Sequence, residues 1–177
     1  VVMAQTKRAK QDLTRVSASY EDDGYYKSGF DVARRLGDNN EFGVRVSSSY
    51  GQGEHIVEGM DDTNATGVVA LDYTTDKLKL NFDAYAVRDK RDNGSPVMVS
   101  MGTIKQVIAA PSGDSNFFPN IHGEQNSQYV GASGEYKFSP DLKVFGGAGY
   151  NEKEYAGHIF GTRMIVTNAA TGAASSQ

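Results

Sequence analysis

The sequence has no cysteine, which removes disulfide frameworks, thiolate metal sites and cysteine nucleophiles together. It has no apolar run longer than about four residues, against the ~20 that a spanning helix needs, so a helical membrane protein is excluded. It has no broad basic surface: the net charge is −4, and the one basic cluster is TKRAK at residues 6–10. Nucleic acid is therefore not an expected partner, because phosphate neutralisation needs clustered Lys and Arg. There is no GxxxxGK followed by Ser or Thr, no HExxH and no GxSxG, so no enzymatic activity is expected. The chain opens at Val1 without an initiator methionine or an apolar signal core, and it closes in TNAATGAASSQ without a final strand. Both ends are expected to be cuts in a longer polypeptide.

What is present is alternation. EFGVRVSSSY at 41–50 and KLKLNFDAYAV at 77–87 each place apolar residues at every second position, with polar or very small residues between them. That period is the signature of a strand with one oily face. Strands are expected at 12–21, 25–36, 41–51, 65–74, 77–88, 127–138 and 142–151. GDNN at 37–40, TTD at 74–76 and SPD at 139–141 read as tight turns, the first because Gly and Asn accept the positive φ of short hairpins. The other connections are longer: a loop of about a dozen residues to about residue 63, and one at 89–126 that holds three of the four prolines. HIFGTRMIV at 158–166 is a candidate short strand inside a second long loop.

Short turns at one end of a sheet and long loops at the other are the wiring of an outer-membrane β-barrel, with an apolar band facing lipid. An Arg or Lys in mid-band would cost ~2–4 kcal/mol. The apolar faces of the strands at 41, 77, 127 and 142 are read as free of charge, and Arg34 stands beside a turn where its length lets it reach water. Tyr20, Tyr26, Tyr50 and Tyr150 gather near the loop end and Phe42, Tyr73 and Phe138 near the turns, as two interfacial girdles would require. A soluble antiparallel sheet also alternates. Its solvent face, however, would carry Lys, Glu and Thr where this chain has Ser47, Ser49, Gly131, Ser133, Gly147 and Gly149. The expected fold is therefore all-β: an antiparallel transmembrane barrel, incomplete at about seven strands, with long extracellular loops and short periplasmic turns.

VVMAQTKRA, then FDVARRLGDNNEFGVRVSSSY, then LDYTTDKLKLNFDAYAVRDKRDNG resemble the junction and first barrel strands of TonB-dependent outer-membrane ferric siderophore receptors. The likeness runs in order along nearly the whole chain. It implies a plug domain inside a barrel of about 22 strands, with residues 1–9 the tail of the plug and 10–177 the start of the barrel. It also implies loops that capture an iron chelate outside the cell, TonB pulling on the plug, and location in the outer membrane. The partners implied are a ferric siderophore, TonB through the plug region, and outer-membrane lipid. The family's energy-coupling box would lie upstream of Val1. Alternative classes are a passive porin-like or adhesive barrel and a soluble β-sandwich binding module.

For ligand contact the candidates are aromatics near the loop end of the inward face and in the long loops: Tyr25, Phe117, Phe118, His122, Tyr129 and Tyr155. Phe117 and Phe118 are equally well explained by packing within their own loop. The inward charges Asp31, Arg35, Arg45, Lys79, Asp83 and Glu135 are expected to pair with the plug or with each other, since a charge beside another domain needs a partner. His55, His122 and His158 lie far apart without ligand spacing, and the acidic pairs Asp22–Asp23 and Asp61–Asp62 lack a full calcium loop. No metal site and no cofactor are expected, because iron would arrive inside its chelator.

Overall fold

A computed structural model describes residues 6–21, 23–95, 97–100, 109, 112–158 and 162–176. Val1–Gln5, Asp22 and most of the apolar stretch at 101–111 fall outside that range. The described chain is all strand, turn and loop. Ten strands form: β1 (Leu13–Tyr20), β2 (Tyr26–Leu36), β3 (Phe42–Glu54), β4 (Asp61–Thr74), β5 (Leu78–Asp92), β6 (Val97–Ser100), β7 (Gly123–Ser139), β8 (Leu142–Gly157), β9 (Thr162–Val166) and β10 (Ala174–Ser176).

Seven of them make one antiparallel sheet in the order β1-β2-β3-β4-β5-β7-β8, the consecutive meander that the seven expected strands imply. Among the described residues the sheet is open, because β1 and β8 each pair on one side only. The GDNN turn works as its residues require, with Gly37 at φ 94° and Asn40 at φ 54°. A slip of one residue would move every side chain to the opposite face, so the register assigns the faces. One face carries Phe42, Val44 and Val46 opposite Tyr73, Leu71 and Val69, followed by Leu80, Phe82 and Ala84. We call this the outer face and the other the inner face. The outer residues remain largely uncovered: Val16, Phe30, Leu80, Phe82, Val130, Val144 and Tyr150 are all exposed. No second layer packs on them among the described residues.

The strands run further than the alternation does. β3 continues to Glu54 and β4 starts at Asp61, so their connection is residues 55–60 and not a loop reaching residue 63. Likewise β5 continues to Asp92, β7 starts at Gly123 and β8 reaches Gly157. The reason is physical: in these extensions both faces are polar, so the period-2 signal disappears although the ladder of hydrogen bonds continues. One consequence corrects the expectation of an uncharged apolar face on the strand at 77–88. Arg88 belongs to the outer face, one step past Ala86 and opposite Ala65 and Asn126.

The polar–apolar boundary on the outer face is a diagonal. On β3 the last apolar residue is Tyr50, while on β8 it is Tyr150, which the pairings through Val130, Ala84 and Val69 place level with Val46. The boundary thus drops from the level of Tyr50 to that of Val46, about 14 Å at ~3.4 Å per residue, over four strand spacings of ~4.8 Å, a slope of ~35° to the strand-perpendicular. The turn-end boundary drops in the same sense, from Phe42 and Tyr73 in one row to Tyr136 one pair lower, where it packs edge-on against Phe138 at 4.7 Å. The two boundaries therefore slope in the same sense. Between Leu78 and Ala86 on β5 the apolar band is about 27 Å long, or ~22 Å measured across the slope.

The remaining strands form a second, three-stranded sheet in the order β10-β9-β6, with β9 antiparallel to β10 and parallel to β6. β9 lies in the expected 158–166 segment. Its pairing with β6 ties the loop after β5 to the segment after β8.

Candidate functional site on the inner face

The inner face is built on ion pairs and on glycine seats. Arg45 Nε and Nη2 donate to the two carboxylate oxygens of Asp31 at 2.9 and 2.5 Å, a bidentate pair that fixes both side chains. Asp31 opposes Ser47 while Arg45 opposes Ala33, so the pair crosses β2 and β3 diagonally. Arg35 donates to Asp72, whose residue is buried, and both groups occupy the space that a side chain at Gly43 would fill. Glu135 is bonded by Lys143 Nζ at 3.3 Å, and Lys79 stands opposite Glu135 in the register.

Asp83 is reached by a residue from outside the sheet. Arg8 Nη2 donates to Asp83 at 2.6 Å, and its Nη1 donates to the carbonyls of Leu71 and Phe82 at 3.0 and 3.3 Å, an opposed pair on β4 and β5. The backbone of this leader is held too: Arg45 donates to the Arg8 carbonyl and Arg35 to the Ala9 carbonyl, each at 3.2 Å, and Ala9 is buried. Of the six inward charges, only Asp31 and Arg45 pair with each other; Arg35, Asp83 and Glu135 meet Asp72, Arg8 and Lys143, which lie outside that set. Two of these guanidiniums also grip residues 8 and 9. Asp72 was readable as inward from its place between Leu71 and Tyr73; the partnership of Arg8 with Asp83 had no sequence signal, because it joins positions 75 residues apart.

Of the aromatic candidates, Tyr129 lies mid-strand on the inner face, stacked on Tyr85 with ring centroids 5.3 Å apart. Its hydroxyl occupies the space above Gly131, and a Cβ on Gly149 would lie 2.9 Å from it. Asn151 Nδ2 donates to the Gln128 carbonyl at 2.9 Å and to the Tyr85 hydroxyl at 3.4 Å, which bridges β8 to this stack. The small inward residues of β7 and β8 thus serve as a seat for a tyrosine ring, a role that alternation alone does not reveal. Tyr155 faces inward opposite Gln125, nearer the loop end.

Tyr25 precedes β2, is buried, and stacks on His55 at 4.0 Å. His55 Nδ1 lies 3.0 Å from Glu21, and Arg91 Nε donates to the neighbouring Asp62 at 2.8 Å. Burial, reinforced by the nearby charges of Asp62, Glu21 and Asp89, raises the Tyr25 phenol above its ordinary value. Phe117 is exposed and Phe118 half-buried in the loop between β6 and β7, where the Phe118 amide donates to Asn116 Oδ1. His122 is exposed at the foot of β7, and its carbonyl accepts from the His158 amide at 2.8 Å. The six candidates are thus spread over the mid-face, the loop end and the loop. Among the described residues no group of three or more acidic or histidine side chains is placed to hold a metal.

No protein-family model matches the chain. The ferrichrome receptor FcuA of Yersinia enterocolitica is 25% identical to it over 170 residues, 95% of this chain and 22% of that receptor. The crystal structure of BauA, the ferric preacinetobactin receptor from Acinetobacter baumannii, superposes with a TM-score of 0.78 at 26% identity, covering 93% of this chain and 24% of BauA. The chain is similar to siderophore receptors over nearly its whole length. The chain spans about a quarter or less of the length of these relatives.

Proposed function

We propose that this chain is the first part of the transmembrane barrel of a TonB-dependent receptor that takes up a ferric siderophore across the bacterial outer membrane. The observation that carries the reading is the outer band. Its loop-end boundary slopes at ~35°, its turn-end boundary slopes in the same sense, and the band is ~22 Å across on β5, against strand tilts of ~35–45° and a lipid-facing band of ~25 Å in membrane barrels. A core-forming sheet buries its oily stripe, whereas among the described residues nothing covers this one. The likeness to two siderophore receptors supplies the cargo class.

In this reading the two open edges of the sheet join the rest of a larger barrel, the turns face the periplasm, and the long loops face outward to meet the chelate. Residues 1–9 end the plug and 10 onward begin the wall; the grip of Arg35, Arg45 and Asp83 on residues 8 and 9 supports that division. TonB engages the plug, and outer-membrane lipid wets the band. Iron stays in its chelator, so the barrel needs no metal ligands of its own. Ligand contact falls to Tyr25, Tyr129, Tyr155, Phe117, Phe118 and His122.

The test is growth of an iron-starved deletion strain on a panel of ferric chelates, ferrichrome first, with and without the restored gene and with and without TonB. The reading predicts growth on at least one chelate only when gene and TonB are both present. Growth that ignores TonB would leave a passive pore.

A further inference from the structure

Two loops are fastened to each other through Asn93, the residue that follows β5. Its Nδ2 donates to the Gly59 carbonyl at 2.8 Å, its Oδ1 accepts from the Asn120 amide at 2.8 Å, and its own carbonyl accepts from Asn116 Nδ2 at 2.7 Å. Asn116 Nδ2 also reaches the Glu58 carbonyl at 3.1 Å, and the Glu58 amide donates to the Asp114 carbonyl at 2.8 Å. The connection between β3 and β4 and the segment ahead of β7 are thereby held as one body. Asn93 and Asn120 take φ of 54° and 66°, the left-handed region that Asn tolerates better than most residues. Asn93 also stands before Gly94, the sole Asn-Gly step in the sequence.

That step is prone to one intramolecular reaction, because glycine has no side chain to hinder the approach. The glycine amide nitrogen attacks the asparagine side-chain carbon, ammonia leaves, and water opens the resulting succinimide to aspartate or isoaspartate. Here the electrophile is primed: the Asn120 amide is placed to hold the oxyanion that would form on Oδ1. The nucleophile is withheld. Gly94 N donates to the Ile121 carbonyl at 3.0 Å, Gly94 is buried, and its Cα lies so close to the buried Met60 that a Cβ would stand 2.6 Å from Met60 Cγ. The leaving nitrogen is bonded as well, to Gly59. We propose that Asn93–Gly94 is a deamidation site held shut by the fastening it builds, and that its conversion unfastens the two loops. A carboxylate at position 93 meets the Gly59 carbonyl as acceptor against acceptor, where a donor stood before. Asn93 is exposed, so water reaches the succinimide once it forms. The inference stands apart from the receptor reading, since it does not depend on what the loops bind.

Ageing the full-length protein in detergent micelles at mildly alkaline pH, beside its own tryptic peptide that begins at Asp92, tests the lock. Mass mapping is expected to find Asn93 converted at least about tenfold more slowly in the folded protein, because the reaction waits for a local opening. Asn116→Ala leaves the reactive step intact while removing the bonds to Glu58 and to the Asn93 carbonyl, and should speed conversion in the folded protein several-fold. Conversion as fast in the folded wild type as in the peptide would overturn the proposal, and that comparison needs no variant. So would a folded Asn116→Ala protein that ages no faster than wild type. Hydrogen exchange of Asn93→Asp, which reproduces one product, tests the unfastening: the Glu58 and Gly94 amides should exchange several-fold faster, with the β3–β4 ladder unchanged. Unchanged exchange at both amides, in Asn93→Asp or in the aged wild-type fraction, would show that the loops do not depend on this side chain and would overturn the proposal too.

Discussion

Asp83→Ala should release the leader from the wall. Both side chains of the Arg8–Asp83 pair are about four-fifths buried, with 22% and 21% exposure. Breaking a fully buried pair costs ~3–5 kcal/mol and an exposed one ~0–1 kcal/mol. Arg8 keeps its bonds to the Leu71 and Phe82 carbonyls in the variant, which places the loss toward the lower half of that range, about 2 kcal/mol. Such a loss raises the population of the opened leader ~30-fold. Hydrogen exchange of the full-length protein in micelles reads it directly: the amides of residues 9–12 should exchange at least about tenfold faster, with β5 and β7 unchanged. In the double variant Arg8→Ala/Asp83→Ala the effects should be clearly less than additive. Unchanged protection of residues 9–12 in a folded Asp83→Ala protein would refute the view that this pair holds the leader.

Gly131→Ala drives a methyl into the Tyr129 hydroxyl, while Gly146 has open space around its Cα, so Gly131→Ala should cost ~1–3 kcal/mol in denaturant unfolding and Gly146→Ala close to nothing. Equal effects would remove the seat. Tyr85→Ala forfeits the ring pair with Tyr129, worth ~0.5–1.5 kcal/mol beyond area, and Asn151→Ala added to it should cost about 1 kcal/mol more, for the bond to the Gln128 carbonyl that does not depend on Tyr85. For Tyr25 the phenol is raised, so the folded state holds its proton more tightly: its stabilising effect is full below the ordinary tyrosine value near 10 and is lost as pH rises through the higher folded value. Tyr25→Phe should flatten that alkaline limb of an unfolding profile, and an unaltered limb would contradict the assignment.

Which residues face which way was legible in the sequence because alternation is rigid: Val44, Val46 and Phe82 share one face with no freedom to do otherwise. The ends of β5, β7 and β8 were not, since Asp89–Asp92, Gly123–Ser127 and Asn151–Gly157 are polar on both faces and lose the period. The inward charges were legible as a set but not as pairs. Asp31 meets Arg45 across a diagonal that depends on strand register, and Arg8 enters from a leader with no periodicity. The stack of Tyr85 on Tyr129 was not legible, since it required knowing that Gly131 and Gly149 lie beside one another. The parallel pairing of β6 with β9 joins two separate loops and had no local signal at all.

The central claim is that the outer band is bathed in acyl chains, and the absence of cysteine from these 177 residues lets a single cysteine introduced among them report on it. Single cysteines placed in turn from Leu78 to Asp92 in the full-length receptor, spin-labelled in lipid bilayers, report collisions with oxygen and with a water-soluble nickel chelate. The account predicts an oxygen maximum at every second position, 78, 80, 82, 84 and 86, that gives way to nickel access at Arg88 and Lys90. Low access to both reagents along 78–86, as in a dry protein interior, would contradict it.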